Sequence, residues 1–111
     1  MPEYQLREYL TKGGRSPFSN WLNDLRDIRA RARIRTRLDR LRLGNPGDHA
    51  AIANGLLELR LFFGPGYRVY FGLPGKRIVL LLWGGKKDTQ QTDINIAAAY
   101  WADYRNRTYG N

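Results

Sequence analysis

Hydrophobic residues recur along the chain with two different periods, one typical of helices and one typical of strands. Over residues 17–25 and again over residues 26–43 they recur every three or four positions, which predicts two amphipathic helices. Ser16 and Pro17 provide an N-cap and a favoured first residue for the first helix. The Gly-Asn-Pro-Gly run at residues 44–47 ends the second helix.

A two-residue period predicts the strands. Residues 57–63 and 67–71 alternate apolar and polar side chains on either side of a Gly-Pro-Gly turn, as in a β-hairpin. Residues 78–83 are apolar throughout, which is typical of a central strand covered on both faces. A short strand at residues 4–7 and a helix at residues 92–105 complete the order. We therefore predict an α+β fold with an N-terminal strand, two helices, a three-stranded antiparallel meander and a C-terminal helix.

The alternation within the hairpin also places its polar side chains on one face. If Phe63 pairs with Tyr67 across a three-residue loop, Arg60 lies opposite Tyr70 and Arg68 lies on the diagonal from Arg60. The face turned away from the leucines is then expected to carry Glu58, Arg60, Arg68 and Tyr70.

Length and composition restrict the class of protein. With 111 residues the chain is long enough for one domain and too short for two, so we predict a single domain over residues 1–111. Cysteine is absent, which excludes disulfides, thiolate metal sites and cysteine catalysis. His49 is the only histidine, and we expect neither a metal nor a cofactor. The longest apolar run, seven residues, is far shorter than the ~20 that span a bilayer. Since no signal-peptide pattern is present either, we expect a cytoplasmic protein without membrane contact.

The charge of the chain is strongly basic, because 19 lysines and arginines against 10 acidic residues give a net charge of +9. This balance favours a polyanionic partner: nucleic acid, a ribosome, an acidic protein or anionic lipid. The alternative is a basic surface that only keeps the protein soluble. Helical geometry places the eight arginines of residues 26–42 in two rows that flank the apolar stripe. The first row holds Arg26, Arg29, Arg33, Arg37 and Arg40, and the second holds Arg31, Arg35 and Arg42.

Three segments of the predicted strands carry a resemblance to a known family. They are Leu-Glu-Leu-Arg at residues 57–60, Gly-Tyr-Arg-Val-Tyr-Phe at 66–71 and Leu-Trp-Gly-Gly-Lys-Lys-Asp at 82–88. In this order they resemble the RelE/ParE toxin superfamily, most closely its HigB-like branch of addiction module killer proteins, which is related to phage Gp49-like proteins. The same branch has Thr-Gln, Asp-Ile and Tyr-Trp pairs, which stand here at residues 89–90, 93–94 and 100–101. The resemblance implies a RelE-like fold.

The resemblance implies the toxin of a type II toxin–antitoxin pair. RelE- and HigB-like members cut messenger RNA in the ribosomal A site without metal, by driving the 2′-oxygen onto the adjacent phosphate. We therefore expect an endoribonuclease that inhibits translation and whose partners are the ribosome, mRNA and a cognate antitoxin of the HigA-like, DNA-binding kind. ParE-like members share the fold but poison DNA gyrase, so gyrase is the alternative target. A non-catalytic basic nucleic-acid-binding adaptor is the third alternative.

The resemblance also assigns catalytic roles to several residues. Arg68 occupies the family's Gly-Tyr-Arg position, so we expect it to clamp the reacting phosphate and to face RNA rather than the core. Arg60 stands where the RelE branch carries a lysine, and Lys87 where that branch carries an arginine. Lys86 follows two glycines, which let a ligand approach the backbone closely. The alternative for Arg68 and the two lysines is an ordinary solvent-exposed cation.

The residues for proton transfer depart from the family pattern. The tyrosine of the RelE branch falls near Asp93 here, and the histidines common in HigB members are absent. Glu58 is expected to have a lowered pKa beside two arginines and to act as a weak base, and its alternative role is that of a cross-strand ion-pair partner. The other candidates are Tyr70, Asp88 and the distant His49.

One aromatic pair and part of the first arginine row are the predicted RNA-binding elements. Phe62 and Tyr70 are expected on the polar face of the hairpin, where they can stack on single-stranded bases. We expect Arg33, Arg37 and Arg40 to dock on ribosomal RNA or to receive an acidic antitoxin segment.

Overall fold

The structure is a computed structural model that describes residues 3–109. Within those residues the chain forms five strands and three α-helices, with a single 3₁₀ turn before the last helix. In chain order they are β1 (Gln5–Glu8), α1 (Pro17–Asp24), α2 (Ile28–Arg42), β2 (His49–Ala53), β3 (Leu56–Leu61), β4 (Tyr67–Gly75), β5 (Ile78–Lys86), the 3₁₀ turn (Lys87–Thr89) and α3 (Gln90–Tyr109).

The strands form one mixed sheet in the order β1-β5-β4-β3-β2. The pairs β2–β3, β3–β4 and β4–β5 are antiparallel, whereas β1 runs parallel to β5, with Gln5 opposite Ile78. The predicted three-stranded antiparallel meander is therefore wrong. The sheet has five strands, because β2 extends it beyond β3 at one edge and the N-terminal strand joins it beside β5 at the other.

Strand β2 escaped prediction because its sequence, His-Ala-Ala-Ile-Ala, has little intrinsic preference for a strand. The signal that marks it is the Asn54-Gly55 pair between β2 and β3. Both residues have positive φ, 51° and 84°, as the two-residue type I′ hairpin turn requires. An Asn-Gly pair before an alternating segment therefore indicated a further hairpin.

The β3–β4 hairpin keeps the predicted face but not the predicted register. Arg60 lies opposite Arg68 instead of opposite Tyr70, so the two strands are paired two residues away from the predicted register. The loop consequently comprises five residues, 62–66, and not three. Because side chains alternate with a period of two, a shift of two residues leaves the polar set on the same face.

The helices begin where side chains cap them. The Ser16 hydroxyl accepts a hydrogen bond from the Ser19 backbone N–H (3.2 Å), which confirms the predicted start of α1. Helix α2 begins two residues later than predicted, because Asp27 is its N-cap and accepts from the backbone N–H of Arg29 (2.9 Å). Helix α3 begins at Gln90 and is longer than predicted. No helix within residues 3–109 is long and apolar enough to cross a membrane.

The sheet separates two hydrophobic cores. Helices α1 and α2 cover one face and α3 covers the other, which confirms that β5 is buried on both faces. The core under α1 and α2 includes Phe18, Leu22, Ile34, Leu38, Leu59, Val69, Phe71 and Leu81. The core under α3 includes Tyr9, Leu56, Tyr70, Leu80, Leu82, Ala97 and Trp101. The polar side of the β3–β4 hairpin therefore faces α3.

Candidate functional site

Two rows of side chains cross the sheet on the face that carries α3. In the first row, Arg60 of β3 lies opposite Arg68 of β4, which in turn lies opposite Gly85 of β5. The second row lies two residues from the first on each strand, towards the middle of the sheet, and consists of Glu58, Tyr70 and Trp83. Since adjacent strands are about 4.8 Å apart, the two rows form one compact polar patch.

Glu58 is the centre of this patch. Its side chain is fully buried, yet both carboxylate oxygens have partners. Oε1 accepts hydrogen bonds from Arg60 Nε (3.1 Å) and Arg68 Nη1 (3.2 Å), and Oε2 accepts one from Gln90 Nε2 (2.9 Å). Burial by itself raises the pKa of Glu58, but the hydrogen bonds from Gln90 and Arg60 and the charge of Arg68 outweigh it and leave the pKa below its ordinary value.

The predicted role of Glu58 as a base is therefore wrong. A carboxylate without exposed surface is out of reach of a substrate hydroxyl, and two guanidinium groups already share its charge. The alternative role, a cross-strand ion-pair partner, is the one that the structure supports. Glu58 fixes the two arginines in position, because an unpaired charge at that depth would cost several kcal/mol.

Tyr70 lies beside Glu58 and is also fully buried. Its hydroxyl lacks a hydrogen-bond partner among the described residues. Burial raises the pKa of Tyr70, and the nearby negative charge of Glu58 raises it further, so the hydroxyl stays protonated at any ordinary pH. The expectation that Tyr70 stacks on a base is wrong, since no part of the ring is exposed.

The two arginines of the first row differ in accessibility. The side chain of Arg60 is 34% exposed, whereas that of Arg68 is 8% exposed. The expectation that Arg68 freely faces RNA is therefore wrong: its guanidinium is buried against Glu58. A ligand at this site meets Arg60 first, with the charge of Arg68 directly behind it.

Lys86 and Lys87 lie at the same end of the sheet, and both are exposed. Lys86 lies opposite Tyr67, so its side chain leaves the sheet on the face that α1 and α2 cover, whereas Arg60 and Arg68 are on the face of α3. The Lys87 backbone N–H donates to the Gly66 carbonyl (2.7 Å), which holds this strand end against the hairpin loop. We call the group formed by Arg60, Arg68, Lys86 and Lys87 the cationic edge.

Asp93 fills the space above Gly85. Its buried carboxylate accepts hydrogen bonds from Trp83 Nε1 (2.9 Å) and Thr89 Oγ1 (2.5 Å). A Cβ atom on Gly85 would lie 1.9 Å from Asp93 Oδ2. We expected a ligand to approach the backbone at the two glycines, but the Asp93 side chain occupies that space. Asp93 thereby fastens the start of α3 to β5. Sequence analysis missed this residue, although a glycine at the end of a strand signals such an approach.

The remaining candidates for proton transfer lie apart. His49 lies opposite Leu59, on the face that α2 covers, and its Nδ1 is 2.8 Å from the Gly47 carbonyl oxygen. Asp88 is exposed in the 3₁₀ turn next to Lys87. Of the four candidates, Asp88 alone is both exposed and close to the cationic edge. Within residues 3–109, no three acidic, histidine or cysteine side chains cluster as metal ligands would.

Arg37 does not belong to the exposed arginine surface. Its guanidinium donates to three backbone carbonyls, those of Pro46 (2.9 Å), Asp48 (2.5 Å) and Arg60 (2.7 Å). These bonds join α2 to the loop before β2 and to β3. Three of its five N–H donors are used within the fold, so Arg37 is not the freely exposed cation that we expected, and its binding to RNA stays a prediction.

Arg33, Arg40 and Phe62, in contrast, come together at the surface. They line a groove of about 340 Å³ between α2 and the hairpin loop, which we call the α2 groove. Both arginines are exposed, and Phe62 is 75% exposed. The other lining residues are Ala32, Thr36, Arg37, Leu61 and Phe63. Three of the predicted RNA-binding residues therefore share one surface, on the opposite side of the hairpin loop from Lys87.

Comparison with known proteins shows a family relationship but no described activity. No model of a protein family matches the sequence. An uncharacterized protein of Haemophilus influenzae is 45% identical over 80 residues, which cover 72% of this chain and 81% of the relative. The name of that relative states neither an activity nor a ligand.

Proposed function

We propose that this chain, which belongs to the same family as that uncharacterized Haemophilus influenzae protein, is the toxin of a type II toxin–antitoxin pair. It acts in the cytoplasm as a metal-independent, ribosome-dependent mRNA endonuclease. The basis of the proposal is the site of this chain itself. The observation that supports this proposal best is the cationic edge. Two arginines converge on one buried carboxylate, and two exposed lysines flank them at the same end of the sheet.

The proposed reaction is an attack of the RNA 2′-oxygen on the adjacent phosphorus. The new P–O2′ bond forms as the P–O5′ bond breaks, and the products carry a 2′,3′-cyclic phosphate and a 5′-hydroxyl. The proton of the 2′-hydroxyl passes to the Asp88 carboxylate, and a lysine ammonium of the cationic edge protonates the departing 5′-oxygen. The phosphorane that forms carries two negative charges, and fixed cations stabilise it most when they need not reorganise.

Glu58 supplies that fixed arrangement as a positioning residue. It holds Arg60 by Nε, so the remaining N–H groups of this partly exposed guanidinium are available to a phosphate. Arg68 adds its charge from beneath without moving. The proposal therefore assigns the direct contacts to Arg60 and Lys87 and a supporting role to Arg68. Lys86 leaves the sheet on the other face and adds its charge from the strand end.

The proposed partners follow from charge. The exposed Arg33 and Arg40 of α2 together with the net charge of +9 support binding to ribosomal RNA, to mRNA and to an acidic segment of a HigA-like antitoxin. An antitoxin that covers this surface would neutralise the toxin by preventing its contact with the ribosome.

A DNA gyrase poison of the ParE kind is the second candidate. One observation favours it: the candidates for proton transfer are mostly out of reach, because Glu58 and Tyr70 are buried and His49 lies on the opposite face of the sheet. Asp88 is then the one exposed carboxylate among them near the cationic edge, and none of the other candidates lies beside it to form an acid–base pair. A gyrase poison needs a binding surface only.

The decisive experiment adds purified protein to a translation reaction programmed with one defined mRNA and, in parallel, to a gyrase supercoiling reaction. We expect cuts in register with the codons, with 5′-hydroxyl ends, and unchanged supercoiling. Arg60→Gln should lower the cleavage rate about 100-fold. Arg77→Gln, which removes the same charge from an exposed turn, should not. Intact mRNA with blocked supercoiling would establish the gyrase poison. No effect in either reaction would exclude both activities and favour a non-catalytic nucleic-acid-binding adaptor.

A further inference from the structure

The α2 groove combines an exposed aromatic ring on the hairpin loop with two cations on α2. Phe62 and Phe63 are adjacent in the chain, but only Phe63 packs against the protein. Its ring lies 5.4 Å from that of Tyr67 and 4.8 Å from the Arg33 guanidinium, measured to the ring centroid. Phe62 stands out of the loop and is the most exposed of the large hydrophobic side chains in the described part of the chain.

The hairpin loop holds Phe62 in this position. The Gly66 backbone N–H donates to the Phe63 carbonyl (3.0 Å), and Gly64 and Gly66 have positive φ, which closes the loop tightly. At the other wall, Arg33 and Arg40 are seven residues apart on α2, or about 10 Å along the helix axis. The two guanidinium groups thus stand at opposite ends of the groove, and Arg37 between them is bonded to the backbone.

We propose that the α2 groove binds one nucleotide of single-stranded RNA, with its base stacked on Phe62 and its flanking phosphates on Arg33 and Arg40. Unstacked bases are recognised by aromatic rings and guanidinium planes together, and this groove offers both. A volume of about 340 Å³ suits a single small ligand moiety. A peptide of acidic residues would use the cations, but it would offer no flat base to stack on the ring.

The position of the groove suggests which strand it receives. Phe62 is two residues from Arg60, and the loop that carries it accepts a hydrogen bond from the Lys87 backbone. An RNA strand that reaches the cationic edge therefore continues around the hairpin loop into the groove. That this RNA strand is mRNA rests on the proposed function. The groove would give the mRNA a second contact with the protein, away from the scissile phosphate.

The test is the binding of a fluorescent eight-nucleotide oligouridylate to the purified protein without ribosomes, at several salt concentrations. Phe62→Ala should weaken binding about tenfold, and Phe62→Tyr, which keeps the ring, should restore it. Arg33→Gln should weaken binding and reduce the log–log salt slope by about 0.7. Arg35→Gln is the matched control, because it removes the same charge from the other flank of α2 and should leave the slope unchanged.

Oligouridylate binding that is equal for the parent and Phe62→Ala would overturn the proposal. So would an oligoglutamate peptide that binds in a Phe62-dependent manner while the RNA does not. The assay contains no ribosome and measures no cleavage, so it is independent of the proposed nuclease activity. A protein that cuts mRNA but binds RNA without Phe62 would refute the groove alone, and Phe62-dependent binding without any cleavage would refute the nuclease alone.

Discussion

Arg37 Nη1 donates a hydrogen bond to the backbone carbonyl of Arg60 (2.7 Å). One arginine of the α2 row thereby fixes the strand segment that carries an arginine of the cationic edge. The same guanidinium also holds the loop before β2, through the carbonyls of Pro46 and Asp48. The first arginine row thus contains two kinds of residue, which have the same sequence pattern and different roles.

Arg37→Gln should therefore destabilise the protein, by about 2–3 kcal/mol, because three carbonyls lose charge-assisted hydrogen bonds. Arg33→Gln and Arg40→Gln should each change the free energy of unfolding by no more than about 0.5 kcal/mol, as is usual for exposed positions. Urea unfolding of the three variants measures these differences. Equal stability of Arg37→Gln and the parent would show that its hydrogen bonds contribute nothing net.

The difference between Arg37 and its neighbours could not be predicted from the sequence. Helical periodicity places Arg33, Arg37 and Arg40 in one row, and this part of the prediction holds. What separates Arg37 is the position of carbonyls at residues 46, 48 and 60, which only the assembled fold brings to α2. Local periodicity carries no information on such contacts.

The polar face of the hairpin shows the same limit. Alternation predicted correctly which side chains of β3 and β4 share a face, because that depends on parity alone. It did not predict that Glu58 and Tyr70 are buried there. Their burial depends on α3, which covers this face and begins at Gln90, 32 residues after Glu58. The parallel pairing of β1 with β5 likewise joins segments that are far apart in the chain.

Binding to the ribosome should depend on Arg33 and Arg40. Because both are exposed and free of the backbone hydrogen bonds that occupy Arg37, their replacement by glutamine removes charge without loosening the fold. The double variant should bind ribosomes more weakly, and the log–log salt slope should fall by about one for each phosphate that is no longer bound. Arg35→Gln with Arg42→Gln removes the same charge from the second row and is the control. Co-sedimentation with ribosomes at several salt concentrations measures both, and indistinguishable slopes would exclude this row from the ribosome-binding surface.

Gly85 should tolerate no side chain. The Cβ atom of alanine would lie 1.9 Å from Asp93 Oδ2, so either the carboxylate or β5 must move. We expect Gly85→Ala to cost about 1–3 kcal/mol, as overpacking does elsewhere. Gly13→Ala is the matched control, because the nearest atom there is 3.9 Å away, and it should be nearly neutral. Thermal unfolding compares the two, and an equally mild effect at both positions would contradict the packing of Asp93 over the glycine.

The lowered pKa of Glu58 predicts a particular loss of stability in acid. Its pKa lies below the ordinary glutamate value of about 4.3 that applies in the unfolded chain. A folded state that binds this proton less readily than the unfolded state is stabilised above that pH, and the stabilisation disappears as the pH falls through the folded pKa. Protonation would leave Arg68 buried without a counter-charge.

Glu58→Gln isolates this effect, because it keeps the shape of the side chain and removes the charge. At pH 7 the variant should be less stable than the parent by about 3 kcal/mol, the usual consequence of removing one partner of a buried ion pair. The difference should begin to shrink near the ordinary glutamate pKa of about 4.3, where the unfolded chain takes up the proton, and should disappear only below the lower pKa of folded Glu58, where the folded parent is neutral as well. Asp39→Asn, which removes an exposed carboxylate of α2, is the control and should show a small difference at every pH. Urea midpoints between pH 7 and pH 3 measure the trend, and a difference of constant size over that range would mean that the Glu58 charge does not stabilise the fold.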